Sequence, residues 1–336
     1  MAAPIFVFLL PSIMPSDSHD QRIFSRVKKL DVTGAILSAG AISTLIMAIS
    51  FGGGTYSWNS RQITALFTVT GILWVCFALQ QHFSILTTPE NRLFPTALLK
   101  AWEMDILFAQ MASAQVVVTV PVYFIPLYFQ FAKGHSALSS GVQLLPFVLL
   151  LVLAVMLNGA MMPKTGYYMP WYLFGSVVAL IGSALLYTID LHTSQAKIYG
   201  YSVLTAFGVG LFSQAGFPIT QVKAHQLQQA VSFIGFGQVA GITLALTISN
   251  SVFLNQATRR ITGILPHASK STIQEAILGS GTSFFLGLTT AERTDVLLAI
   301  MRSINETFIL VITASALSLV LSCFMKREKL FIVSGD

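Results

Sequence analysis

Eight apolar stretches, each long enough to cross a lipid bilayer as a helix, govern what this chain can become. They cover residues 32–52, 62–83, 104–130, 138–162, 168–189, 199–221, 230–253 and 307–325. A bilayer's hydrocarbon core is about 30 Å thick and a helix rises about 1.5 Å per residue, so roughly 20 apolar residues suffice to span it. Composition agrees with this count. Hydrophobic residues make up 54% of the 336 positions and charged residues only 10%, against about 25% charged in an average soluble domain. Too few charges remain to cover a water-facing surface, and a soluble fold is excluded. An all-α, multi-pass integral membrane protein is the expectation, with the lipid bilayer as its first partner.

A shorter apolar stretch opens the sequence, Ala2–Met14, broken by Pro4 and Pro11. It lacks a basic leader and a small-residue cleavage site, and reads as the last turns of a helix. Basic residues then orient the spans. One set of short loops, with the C-terminal tail, carries eleven: Arg22, Arg26, Lys28, Lys29, Arg92, Lys100, Lys164, Lys223, Lys326, Arg327 and Lys329. The opposite short loops carry three, Arg61, Lys133 and Lys197. This asymmetry predicts a cytoplasmic C-terminus. It also accounts for the net charge of +6 without nucleic acid as a partner. A long loop, 254–306, falls on the outer side. Its segments Ile273–Leu278 and Val296–Ile304 have helical apolar spacing, which predicts one or two amphipathic helices on the membrane surface. Asn305-Glu306-Thr307 in the same region is a glycosylation sequon.

Catalytic chemistry finds no footing in the chain. The six histidines sit at span ends or in loops without metal-ligand spacing, and no nucleophile elbow, phosphate loop or zinc-protease motif occurs. The two cysteines, Cys76 and Cys323, lie within apolar runs and read as buried, inert thiols. No enzyme activity, metal or cofactor is expected. Intramembrane charges mark function by default, yet Glu103, Asp105, Asp190 and Glu306 all fall at span ends. Uncharged polar residues are better represented. Gln110, Gln115 and Tyr123 run along the span 104–130, where Pro121 and Pro126 interrupt the helix, and Gln214 and Gln238 punctuate later spans. Such residues either line a cavity for an amphipathic solute or hydrogen-bond neighbouring helices. These five are the candidate substrate contacts. Gly216-Phe217-Pro218 near a span end is a candidate gating hinge, whereas Gly237-x-x-x-Gly241 is a close-packing face.

Several strings together carry a family resemblance. Residues 30–61 read LDVTGAILSAGAISTLIMAISFGGGTYSWNSR and contain Gly52-Gly53-x-x-Tyr56-x-Trp58. Residues 123–146 read YFIPLYFQFAKGHSALSSGVQLLP, 182–190 read GSALLYTID and 249–255 read SNSVFLN. The chain resembles fungal major facilitator superfamily efflux pumps of the fourteen-helix drug:proton antiporter type. That resemblance implies a remnant of a transmembrane helix at 1–14, a cytoplasmic basic loop at 15–30 and two insert helices within 31–83. A cytoplasmic linker at 84–103, a C-terminal six-helix bundle at 104–325 and a cytoplasmic tail at 326–336 complete the plan. It further implies a multi-pass protein of the cell membrane that exports a secondary metabolite, toxin or drug, with protons as the coupling ion. Lys164, in the turn Pro163-Lys164-Thr165-Gly166-Tyr167-Tyr168, matches the basic residue of the family's cytoplasmic turn and becomes a gating or topology candidate. The family's N-terminal bundle has no counterpart here, so an N-terminally truncated transporter is expected. The competing expectation is a truncated membrane protein with a regulatory, non-transporting role.

Overall fold

A computed structural model describes residues 31–330 apart from 90, 97, 224–226, 279–283 and 286. The expected helix remnant at 1–14, the basic loop at 15–30 and the end of the tail lie outside the described residues. Eleven α-helices account for most of what is described: α1 Val32–Phe51, α2 Arg61–Phe83, α3 Trp102–Lys133, α4 Ala137–Val142, α5 Leu145–Thr165, α6 Met169–Tyr187, α7 Gln195–Gly210, α8 Gly216–Lys223, α9 Leu227–Ile264, α10 Lys270–Ile277 and α11 Thr290–Cys323. Among the described residues, seven helical segments are long and apolar enough to cross a membrane: α1, α2, α3, α4 with α5, α6, α9 and α11. The protein is an all-α, multi-pass integral membrane protein.

Local chemistry sets the helix ends. Asp31 caps α1 by accepting from Gly34 N at 2.8 Å, and Ser60 caps α2 by accepting from Ile63 N at 3.3 Å. Thr289 and Glu292 form a reciprocal capping box at the start of α11. Pro146 and Pro170 occupy the first turns of α5 and α6, where the missing N–H has no intrahelical partner to lose.

Four expectations change. The span 138–162 is two helices, because Gln143 and Leu144 form a turn ahead of Pro146. The span 199–221 is also broken. α7 ends at Gly210, residues 211–215 form turns, and α8 begins at Gly216. Within that break Phe212 N bonds Val209 O and Ala215 N bonds Phe212 O, both at 3.1 Å, a tighter three-residue pattern than the α-helix. Pro121 and Pro126, by contrast, sit inside a continuous α3; packing on several sides holds the helix where two backbone donors are missing. The outer loop 254–306 is largely helical extension. α9 runs 38 residues and α11 runs 34, which at about 1.5 Å per residue exceeds the bilayer core. Of the two amphipathic segments, only Ile273–Leu278 belongs to a separate short helix, α10, whose Ile273, Ala276 and Ile277 are buried. Val296–Ile304 is part of α11.

α3 lies at the centre, packed against α7, α8, α9 and α11, while α6 joins α7 and α11, and α5 covers α7. The hairpin α1–α2 rests on α9 through α1. Several contacts depend on glycine. A Cβ at Gly175 would lie 2.6 Å from Gly208 O, and one at Gly182 would lie 2.5 Å from Thr205 N, so α6 and α7 meet backbone to backbone. Gly241 likewise lies against the Ala112 carbonyl of α3, and Gly237 against Phe108, as the small-residue pattern predicts. Cys76 and Cys323 are exposed on outward helix faces, so the expectation of buried thiols is corrected. Apolar periphery facing lipid, as at Ile72 and Val75 (56% and 59% exposed), is where an apolar run need not be core.

Candidate solute-binding site

Three of the five glutamine and tyrosine candidates, Gln115, Gln214 and Gln238, stand on segments that pack near Gly216. Gly216, at the start of α8, has Met111 Cε of α3 and Ile234 Cγ2 of α9 each 3.6 Å from where a Cβ would stand. One turn beyond Met111 on α3 is Gln115, whose Nε2 lies 3.7 Å from the Met111 sulfur. One turn beyond Ile234 on α9 is Gln238, on the same helix face. Gln214 is exposed in the break just before Gly216, and Gln238 is partly exposed. The three amides stand on helical segments that pack near the interruption at Gly216, and interrupted helices offer backbone groups as well as side chains to a solute.

The other two candidates stand apart. Gln110 is fully buried and donates from Nε2 to the Ser318 carbonyl of α11 at 2.7 Å; it ties α3 to α11. Tyr123, eight residues past Gln115, is 44% exposed and packs edge-on against Phe124 at 5.0 Å. At about 12 Å along α3 from Gln115, it belongs to a different level.

The gating candidates also separate. A methyl group at Gly216 would meet only ordinary contacts, the third being Tyr172 Oη at 3.7 Å, so sterics do not demand glycine there. Pro218 is in the first turn of α8 and half-buried. Lys164 is exposed. In its place, Gly166 and Tyr167 join that turn to the chain after α11: Leu330 N donates to Gly166 O at 3.0 Å, and Lys329 Nζ lies 5.5 Å from the Tyr167 ring.

Charged residues that sequence reasoning left unassigned close both ends of the bundle. At the predicted cytoplasmic end, Lys223 at the end of α8 pairs with Glu103 in the first turn of α3 and with Glu328 after α11, and Glu103 also takes Lys326. The Lys223 ammonium lies 3.4 Å from Tyr168 Oη before α6. Burial works against the charge on Lys223, but hydrogen bonds to Glu103 and Glu328 outweigh it and its pKa is pushed up to about 12. At the opposite end, three consecutive carbonyls after α6 each accept a side chain. Asn305 Nδ2 reaches Ile189 O at 2.6 Å, Tyr128 Oη reaches Asp190 O at 2.7 Å, and Lys133 Nζ reaches Leu191 O at 3.0 Å. Asn305 is thus a helix residue whose amide nitrogen serves the fold, in conflict with its role as a glycan acceptor. Arg260 of α9 pairs nearby with Glu306 of α11 and donates to Ser303 Oγ at 2.9 Å.

A third polar knot anchors the α1–α2 hairpin. The Asp31 carboxylate is 6% exposed. Besides Gly34 N, it accepts from Gln80 Nε2 at 3.0 Å, Gln81 Nε2 at 2.6 Å and Leu93 N at 3.1 Å. Asp31-x-x-Gly34 at a helix start was the available sequence signal; the pairing with Gln80 and Gln81 across the hairpin had none. No cluster of metal-ligating side chains occurs among the described residues.

No family model matches the chain. Relatives with names do. It is 46% identical over 340 residues to an "MFS-type transporter pgmG" of Aspergillus terreus, covering 100% of this chain and 60% of that protein. Over 335 residues it is 42% identical to "Efflux pump alnA" of Emericella nidulans, covering 98% of this chain and 60% of the relative. A "Phomenoic acid biosynthesis cluster MFS-type transporter" of Leptosphaeria maculans is 42% identical over 349 residues, at 98% and 55% coverage. The chain spans about 60% of the length of the first two relatives and 55% of the third.

Proposed function

Given that the chain belongs to the fungal major facilitator transporters, we propose that it supplies one wall of an efflux transporter exporting an amphipathic secondary metabolite, toxin or drug by proton antiport. The observation that carries this reading is the match along its whole length to proteins named efflux pumps and MFS-type transporters, at 42–46% identity. The arrangement of side chains supports it. In this reading Gln115, Gln214 and Gln238, on segments near the break between α7 and α8, would bond the polar end of a solute whose body stays in hydrocarbon-like contact. Tyr123 extends the same wall along α3. Residues 31–83 form the insert pair and 104–325 the C-terminal bundle, with the tail and the Lys223 cluster on the cytoplasmic side. Gly216 and Pro218 sit at the joint where α8 can tilt. Transport, not catalysis, is the proposed activity, in the cell membrane.

Retention of a fluorescent amphipathic dye in pump-deficient fungal cells expressing the chain joined to the part of the Aspergillus terreus relative that it does not cover tests this. Expression should lower retention, a protonophore should abolish the difference, and Gln115→Ala or Gln238→Ala should weaken it at unchanged protein level. Gln110→Ala should act through protein level instead. Retention equal to that of cells with an empty vector overturns the proposal.

A further inference from the structure

We propose that the groove between α2, the linker at 92–99, α3 and α9 binds one acyl chain of an anionic phospholipid, with Arg92 holding the headgroup. The groove encloses about 650 Å³. Its floor is aromatic: Trp74 and Phe77 of α2, Phe94 of the linker, Phe108 of α3 and Phe236 of α9. Phe77 and Phe236 stack at 5.8 Å, Trp74 meets Phe236 edge-on at 6.2 Å, and Phe94 meets Phe236 at 5.2 Å. These rings pack against one another and form the groove's floor.

Depth and charge identify the occupant. The polar residues of the lining, Gln81, His82 and Thr96, lie at one end, the C-terminal end of α2. Trp74 lies about 11 Å deeper along that helix, and half of a bilayer's hydrocarbon core is about 15 Å. The groove therefore spans one leaflet and meets the headgroup level where its lining turns polar. Arg92 marks that level: its Nη1 donates to Thr96 Oγ1 at 2.8 Å and lies 3.5 Å from Gln81 O, and its buried Nε has no hydrogen-bond partner among the described residues. A phosphate at the mouth meets the guanidinium as a planar cation, the geometry such an anion fits, while the buried Nε stays internal. The side of the groove opens through exposed Val75, Leu79 and Leu99, the flank from which a lipid, already in the leaflet, enters.

Trp74 inside the groove makes the proposal measurable on the full chain in nanodiscs. Brominated phosphatidylserine and brominated phosphatidylcholine, supplied in turn at equal mole fraction, quench tryptophans within reach of their acyl chains. The fraction lost in Trp74→Phe is the groove's own. Phosphatidylserine should occupy the groove about five-fold more favourably, the size of one basic residue's contribution near a membrane surface. Arg92→Gln should remove that preference while phosphatidylcholine quenching persists, and Arg92→Lys, which keeps the charge and guards against misfolding, should retain most of it. Equal quenching by the two lipids in the unaltered protein, or a preference that survives Arg92→Gln, overturns the proposal. The readout needs no transport, so it stands or falls separately from the efflux function.

Discussion

Replacing Asp31 with Asn tests whether the α1–α2 hairpin is held to the bundle by one carboxylate. The substitution preserves volume and keeps one oxygen, but the second becomes an NH₂ group. Two of the four donors that now meet Asp31, either Gly34 N with Gln80 Nε2 or Gln81 Nε2 with Leu93 N, then face a donor. Hydrogen bonds to a charged group contribute about 1.5–3 kcal/mol each, and a buried donor left without a partner costs about as much. Two lost contacts set a ceiling of about 6 kcal/mol; rotation of Gln80 and Gln81 toward other acceptors brings the expected cost to about 3 kcal/mol. Gly34→Ala should imitate the effect, because a methyl group there collides with the Asp31 carboxylate and the Gln81 amide. Thermal unfolding of the detergent-solubilised protein, followed by size-exclusion chromatography, reports the loss. Limited proteolysis of the linker after α2 should show it first, since Leu93 N and Phe94 N are tied to Asp31 and Gln81. An Asp31→Asn variant with unchanged melting and unchanged linker cleavage would refute the reasoning, and the hairpin would then depend on apolar packing alone.

Three further outcomes are expected. Gly241→Ala should cost about 1–3 kcal/mol by forcing α9 from the Ala112 carbonyl, whereas Gly235→Ala on the same helix, which meets nothing within 4 Å, should be neutral or stabilising in the same melting assay. Lys223→Met should cost about 2–4 kcal/mol by leaving Glu103 and Glu328 without their shared cation. Because the folded pKa of Lys223, about 12, lies above the free value of 10.5, this contribution is fully present below pH 10.5 and is lost as pH rises through 12; the difference between the two proteins should stay constant from neutral pH to about pH 10. Asn305→Ala should lower melting by removing the bond to Ile189 O, and endoglycosidase treatment should leave the mobility of the unaltered protein unchanged on a gel.

Hydropathy alone located seven of the eight expected crossings, because in hydrocarbon length and apolarity leave little choice of structure; among the described residues the eighth, 199–221, is split into α7 and α8. α1 and α2 begin and end within a residue of the expected 32–52 and 62–83. Interruptions were harder to read. Pro146 breaks the span 138–162 while Pro121 and Pro126 do not break α3, since the outcome depends on how many neighbours hold the flanking turns. The break at 211–215 contains no proline and follows directly on Gly208 and Gly210, which pack tightly against α6 and α5. Polar residues were legible as a class but not by role. Gln110 and Gln115 lie five residues apart on one helix, yet one reaches α11 and the other lies against Gly241 of α9 with its amide on Met111. Ion pairs such as Lys223 with Glu103 join residues 120 positions apart, a distance at which local pattern carries no information.

The backbone-close seam between α6 and α7 reaches back to how this protein enters its membrane. α7 has 16 residues, about 24 Å of helix, and is absent from the segments apolar and long enough to cross unaided. It begins with Gln195 and Lys197 and, past the turns at 211–215, continues as α8, so the crossing is made by two broken helices. With α6 already lodged beside it, Gly175, Gly182 and Gly208 give α7 a surface that replaces lipid with protein and covers its threonine and serine hydroxyls. Delivery of the two as a hairpin is the expected consequence of that packing. A bulky residue at Gly208 would therefore show itself during synthesis, as a segment left on the wrong side of the membrane and degraded, well before any solute could meet the finished wall.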